Sequence, residues 1–318
     1  MKQPRDLTYR VRQIPFNQTE HDLKEFLSTA VPPIGPYYSI KIWSFATGIS
    51  SFQPTKVATV SFDVEAVPSW MTEGSEWKVK SRDGRVSVLL DTHFFGFTVL
   101  NEIDTKPHIL EYNFPSIIMR ILWRLTSFSC IFIHGLNGHP LGSWADKRQA
   151  HFAWVRDKLP VDVGEARCIL YGYDSHLVHS ESFQSIEDID RVLVSQLDEL
   201  DLSVDVKPIV FLAHSLGGIL LKSALRRMTL NRHPLMKFIR EILFFGVPNR
   251  GMQISHLLPM VEGQPNESFV QILEPGSRHL EMLDEQFSNI TLHWQSRYRT
   301  ERVRLVSLYE TRRSDTPI

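Results

Sequence analysis

The chain has 318 residues, of which 42% are apolar and 22% charged, and its 35 lysines and arginines are offset by 36 aspartates and glutamates. That balance excludes an overall electrostatic pull toward phosphate, and the apolar share excludes a disordered polymer. The length is sufficient for two hydrophobic cores.

The first hundred residues read as one small module. "LTYRVRQIP" and "YSIKIWSFATGI" have strand patterning, and "TEHDLKEFLSTA" reads as a helix opened by Thr19 and Asp22 at capping-box spacing. "TKVATVSF" is a third strand, "VEAVPSWM" a short helix and "VSVLLDTHFF" a last strand. This β-α-β-β-α-β order predicts a small ferredoxin-like α+β domain over residues 1–102, similar in pattern to RNA-recognition motifs. Those motifs stack bases on aromatic side chains of their central strands. Here Val57 and Thr59 stand where the aromatics belong, and Arg10 occupies the stacking position of the first strand. No stacking platform results, so the reading favours a module that docks a protein partner and disfavours nucleic acid.

Residues 103–129, "IDTKPHILEYNFPSIIMRILWRLTSFS", admit two readings. Ile117, Ile118, Ile121, Leu122 and Leu125 share one helical face, which suits packing against a sheet or association with a membrane surface. Arg120 and Arg124 interrupt an apolar run already shorter than a membrane span requires. The stretch is therefore a linker or an outer part of the next domain.

From residue 130 the pattern changes to alternating strand and helix, the mark of a doubly wound, mostly parallel sheet. Ile131 to Ile133 form an apolar strand running into His134-Gly135-Leu136. A helix is expected over about 146–158, a strand over 167–174 ending at Asp174, and a helix over 182–200. Next comes "IVFLAHSLGGILLK". An apolar run from Ile209 to Ala213 ends at His214-Ser215, and Ile219, Leu220, Ala224, Leu225 and Met228 then recur at helical spacing. Ser215 thus stands where a strand turns sharply into a helix. Ala213, Gly217 and Gly218 are small enough to let the two backbones pass closely. Strand "EILFFGVP" (241–248), a helix over 277–287 and strand "RVRLVSLYE" (302–310) complete the pattern. Cys130 and Cys168 fall on predicted buried strands, and two cysteines in this length suit a reducing compartment. "MKQPRDLTYR" lacks the apolar core of a secretory signal. No metal-ligand spacing appears and no cofactor is assigned.

Ala213-His214-Ser215-Leu216-Gly217 resembles the nucleophile elbow of the α/β-hydrolases, with alanine replacing the usual first glycine. The ordered set "FIHGL", "LYGYD", "AHSLGG", "FFGVPNRG" and "SLYE" resembles the serine active-site-containing protein family of lipase-like α/β-hydrolases, itself similar to glycosylphosphatidylinositol inositol-deacylases. The resemblance spans about residues 130–310. It implies a serine hydrolase of the esterase or lipase type, acting on small-molecule or lipid esters. It assigns Ser215 as nucleophile, Glu310 as acid and the Leu136 and Leu216 amides as oxyanion donors, with His134 and Gly135 shaping their loop. It also implies an intracellular site at mitochondrial or endoplasmic reticulum membranes.

In this fold the acid and then the histidine follow the last strands. After Glu310 only "TRRSDTPI" remains, and His233, His256, His279 and His293 all precede the acid. The predicted sheet is therefore C-terminally incomplete. Three explanations stay open: a truncated product of a larger protein, an unusual histidine, or a catalytically silent binding or signalling module. Asp174 is an alternative acid, or a carboxylate that caps its own turn.

Overall fold

The computed structural model describes residues 7–30, 34, 36–49, 53–63, 68–103, 127–149, 151–178, 180–201, 206–292, 294 and 303–309. They divide into one unit of residues 1–128 with 144–170, and a second of 129–143 with 171–318. Residues 104–126, with the expected amphipathic face, lie outside the described residues, as does the first half of "VEAVPSWM", of which Ser69–Met71 form one 3-10 turn.

In the first unit, β1 (Tyr9–Pro15), α1 (Glu20–Thr29), β2 (Ile40–Thr47), β3 (Thr55–Phe62), β4 (Glu76–Lys80) and β5 (Ser87–Asp91) build a sheet ordered β2-β3-β1-β5-β4. Its strand pairs are antiparallel. Leaving out the edge strand β4, the order is that of a ferredoxin-like sandwich. Thr19 and Asp22 form the reciprocal capping box that starts α1. Alternation then does its usual work: Tyr9, Val11, Val60 and Phe62 turn to one face and close a core with Leu23, Phe26 and Leu27 of α1.

The opposite face, where an RNA-recognition motif stacks bases, is also interior. Arg10 and Thr59 have no exposure and Ser44 and Ser61 very little. Arg10 donates to Asp91 at 2.9 Å and to Thr98 at 2.8 Å, with its guanidinium 5.5 Å from the Phe94 ring centre. Nearby, Trp43 stacks on His151 at 5.3 Å and lies 4.9 Å from the Arg156 guanidinium. Residues of the 144–170 stretch therefore cover this side of the sheet.

The second sheet comprises β6 (Gly96–Val99), β7 (Phe128–Ile133), β8 (Ala166–Gly172), β9 (Ile209–His214), β10 (Ile239–Phe245) and β11 (Arg304–Leu308), ordered β11-β10-β9-β7-β8-β6. β7 and β9, β9 and β10, and β10 and β11 run parallel. Parallel strands align their carboxyl ends along one rim, where loops carry functional groups. Every residue of β7 is buried, as are Ile209 to Ala213 of β9. β6 comes from residues that the sequence pattern places at the end of the small module.

The expected helix over 146–158 is instead a loop followed by two single turns, α2 (Trp154–Asp157) and α3 (Leu159–Asp162). The cause is local. Ala145 bridges Ala153, and the Asp157 carboxylate accepts the Ala153 N–H at 2.8 Å, so winding begins only at Trp154. The next helix, α4 (Ile186–Asp201), starts later than its periodicity suggests, because Ser185 and Asp188 exchange capping hydrogen bonds at 2.8 to 3.2 Å. Helix α5 (Leu216–Leu230) follows Ser215 directly.

Candidate active site

Ser215 joins β9 to α5 with φ +51° and ψ −123°, a conformation that L-residues rarely adopt. Several contacts hold it there. The Ser215 N–H donates to the Phe245 carbonyl at 2.8 Å, anchoring the bend to the end of β10, and the Gly218 N–H donates back to the Ser215 carbonyl at 2.9 Å. Leu216 is the first helical residue, so its N–H has no acceptor within the helix and faces the end that favours negative charge.

Three glycines make the bend possible. A Cβ on Gly135 would lie 2.8 Å from the Ser215 Cβ and 3.0 Å from His214 Nδ1. One on Gly217 would run into the His134 carbonyl oxygen and stand 2.7 Å from that of Ile133, and one on Gly218 would overlap Val247. The His134-Gly135-Leu136 loop is thus pressed directly against the serine. Ala213 is fully buried at the end of β9, whereas His214 is exposed and Ser215 half-buried.

His134 shapes the loop from inside. It is inaccessible to solvent, its Nδ1 donates to the Gly135 carbonyl at 3.0 Å, and its Nε2 accepts weakly from the Tyr173 N–H at 3.4 Å. Its ring stacks on Tyr173 at 4.4 Å, and the Tyr173 hydroxyl donates to the His134 carbonyl at 2.9 Å. Burial lowers its pKa to about 3, with nearby His139, His176 and His214 adding to the effect. A neutral imidazole with both nitrogens engaged is a structural element.

Asp174 lies past the end of β8, on the same rim. Its carboxylate pairs with His176 Nδ1 at 2.8 Å and accepts the His176 N–H at 3.1 Å. The side-chain bond to His176 is the main cause holding the Asp174 carboxyl below its usual range, and the same bond raises the pKa of His176. The pairing was not evident from the sequence, although an Asp and a His two residues apart after a strand could have signalled it. The loop is tied to the serine's neighbourhood: Asn137 N–H donates to the Ser175 carbonyl at 2.7 Å and Ser175 Oγ to the Gly138 carbonyl at 3.3 Å.

Other candidates are elsewhere or engaged. Glu310 and His293 lie outside the described residues. His233 accepts the Leu235 N–H and pairs with Asp198 at 2.8 Å, His279 lies 3.6 Å from Glu187, and His256 is exposed after β10. Among the described residues, Glu76, Asp91 and His93 form a group with metal-ligand spacing. Asp91 Oδ2 there accepts from both Arg10 and Arg12, and Arg12 also pairs with Glu76, so guanidinium groups already supply the positive charge.

Residues 128–247 match the family described as "Putative serine esterase (DUF676)", a span that runs from β7 through the elbow to the loop after β10. Over this span the chain is similar to a lipase-like α/β-hydrolase family. The chain is also similar to Protein SERAC1 of Danio rerio, 28% identical over 191 residues, covering 50% of this chain and 28% of that protein. The chain thus spans under a third of the length of this curated relative. Among solved structures, the mature lipase BlEst2 of Bacillus licheniformis is 18% identical, with a TM-score of 0.39 over 66% of this chain and 70% of that one. The phospholipase PlaB of Legionella pneumophila, in complex with thio-NAD, is 20% identical with a TM-score of 0.33, over 50% of this chain and 34% of that one.

Proposed function

We propose that the hydrolase domain cleaves carboxylic esters through an acyl-enzyme on Ser215. The observation that carries this reading is the strained bend at Ser215, pressed against Gly135 and followed at once by a helix. Its hydroxyl attacks the ester carbonyl, and the Leu136 and Leu216 amides receive the charge that develops on the carbonyl oxygen. The alcohol departs with a proton, and water then releases the acid and restores the serine. Glu310 is the acid implied by the family resemblance, with Asp174 as its alternative on the rim. Lipid esters are the substrate class that the resemblance favours, with mitochondrial or endoplasmic reticulum membranes as the site of action and a protein partner for the small module. Among the described residues no helix is long and apolar enough to cross a membrane.

A fluorophosphonate probe is expected to label the protein, and Ser215→Ala to abolish labelling. A second reading, a catalytically silent binding module, is favoured by the engagement of His134, His233 and His279 away from the serine. It requires a folded, unlabelled protein that turns over no ester; Ser215-dependent turnover removes it.

A further inference from the structure

Three contacts in step fasten the start of α5 to the segment that ends β10 and follows it. The Ser215 N–H donates to the Phe245 carbonyl at 2.8 Å, and Gly218 lies so close to Val247 that a Cβ there would overlap it. Two turns beyond the serine, the Lys222 ammonium donates to Asn249 Oδ1 at 2.8 Å. Residues 215, 218 and 222 share one helical face, and their partners 245, 247 and 249 are alternate positions of the facing segment. Helix and segment therefore meet once in every turn.

An ammonium is a costly group for the last of these places. The Lys222 side chain is only 7% exposed, paired with Asp284 of the helix Arg278–Leu292, and its Nζ lies 5.5 and 5.0 Å from the centres of the Phe244 and Phe287 rings. An apolar side chain would fill such a site without desolvating a charge, so the amine is explained by what it holds. The Asp284 carboxylate answers its charge, and the bond to Asn249 adds a fixed tie to the segment that carries the Phe245 carbonyl.

We propose that Lys222 is a positioning residue for the reaction at Ser215: by holding Asn249 it keeps residues 245–249 in register with α5, and so fixes the carbonyl that anchors the serine. This rests on the serine-hydrolase reading. The contact at Gly218 leaves no slack, so a segment released at Asn249 shifts against the helix at Val247. The bend at Ser215, strained at φ +51°, then loses part of the restraint that maintains it.

Asn249→Ala tests the tie, because it leaves Lys222 paired with Asp284 and strands no charge. In this variant of the full chain, fluorophosphonate labelling per folded molecule is expected to slow about tenfold, and kcat for p-nitrophenyl butyrate to fall likewise with KM within about twofold, the pattern of a misplaced nucleophile. Asn249→Asp keeps an oxygen for the ammonium and should restore both rates to within about threefold of wild type. Followed by NMR, the Ser215 amide proton should exchange faster in Asn249→Ala and regain its protection in Asn249→Asp. Rates per folded molecule that match wild type in Asn249→Ala overturn the proposal, whatever that variant's stability, and so does a Ser215 amide equally protected in all three proteins. A wild-type protein that neither labels nor turns over ester removes the reaction assigned to Ser215, and amide exchange alone then decides whether Lys222 sets the bend.

Discussion

Gly135 faces Ser215 so closely that a methyl group on the glycine would stand 2.8 Å from the serine Cβ. Neither side can yield easily, since Gly135 belongs to the loop locked by His134 and Ser215 is held by the Phe245 carbonyl. Gly135→Ala is therefore expected to cost about 1 to 3 kcal/mol of stability, as overpacking does. It should also slow fluorophosphonate labelling by at least about tenfold, because sub-ångström misplacement of a nucleophile is expensive. Denaturant midpoints and labelling rates of the purified variant measure both. Labelling at the wild-type rate would show that the loop does not set the serine's position.

His134 predicts an acid limb in stability. Its pKa falls from an ordinary 6.5 to about 3 in the folded state, chiefly through burial. Below 6.5 the unfolded chain takes up a proton that the folded chain refuses. The contribution is thus fully present above 6.5 and is lost as pH falls toward 3, by up to about 1.4 kcal/mol per pH unit. Urea midpoints between pH 7 and pH 4 should show a shallower slope in His134→Gln, even though that variant starts less stable.

The Asp174 and His176 pair titrates with opposite signs. His176, raised above 6.5, contributes stability below its unfolded value that disappears as pH rises through its folded value. Asp174, lowered below 3.8, contributes above its unfolded value and loses that as pH falls. Asp174→Asn should bring the His176 titration down in pH, as followed by its imidazole proton shifts. An unmoved His176 would mean that the pair does not form in solution.

Arg10 and Asp91 are an ion pair with neither side chain exposed. Burial lowers the Arg10 pKa to about 10, so the guanidinium remains charged at neutral pH and needs its partner. Asp91→Asn is expected to destabilise the protein by about 3 to 5 kcal/mol, the cost of stranding a buried charge. Arg10→Met combined with Asp91→Leu should recover much of that loss in denaturant midpoint, since it removes both charges together.

The parts legible in the sequence are those where local pattern and tertiary need coincide. The apolar runs 131–133 and 209–213 became β7 and β9, and small residues around Ser215 foretold the close passage seen at Gly217 and Gly218. Thr19 and Asp22 fixed a helix start by chemistry confined to four residues. Strand β4 went unread because "EWKVK" is a charged edge strand whose only buried residue is Val79. The expected helix over 146–158 failed where one carboxylate, Asp157, captured the backbone. Lys222 carries no local sign of its inward turn, which depends on Asn249 and Asp284 at 27 and 62 positions away. Contacts of that span are set by the packed chain and leave no periodicity behind.

The buried second face of the small sheet has a practical consequence for anyone wishing to excise it. A gene fragment ending at codon 102 would strip His151 and Arg156 from Trp43 and wet a surface that the intact chain keeps dry. Such a fragment should be sticky and short-lived, and a soluble excised version would have to be stitched from two separate stretches of sequence.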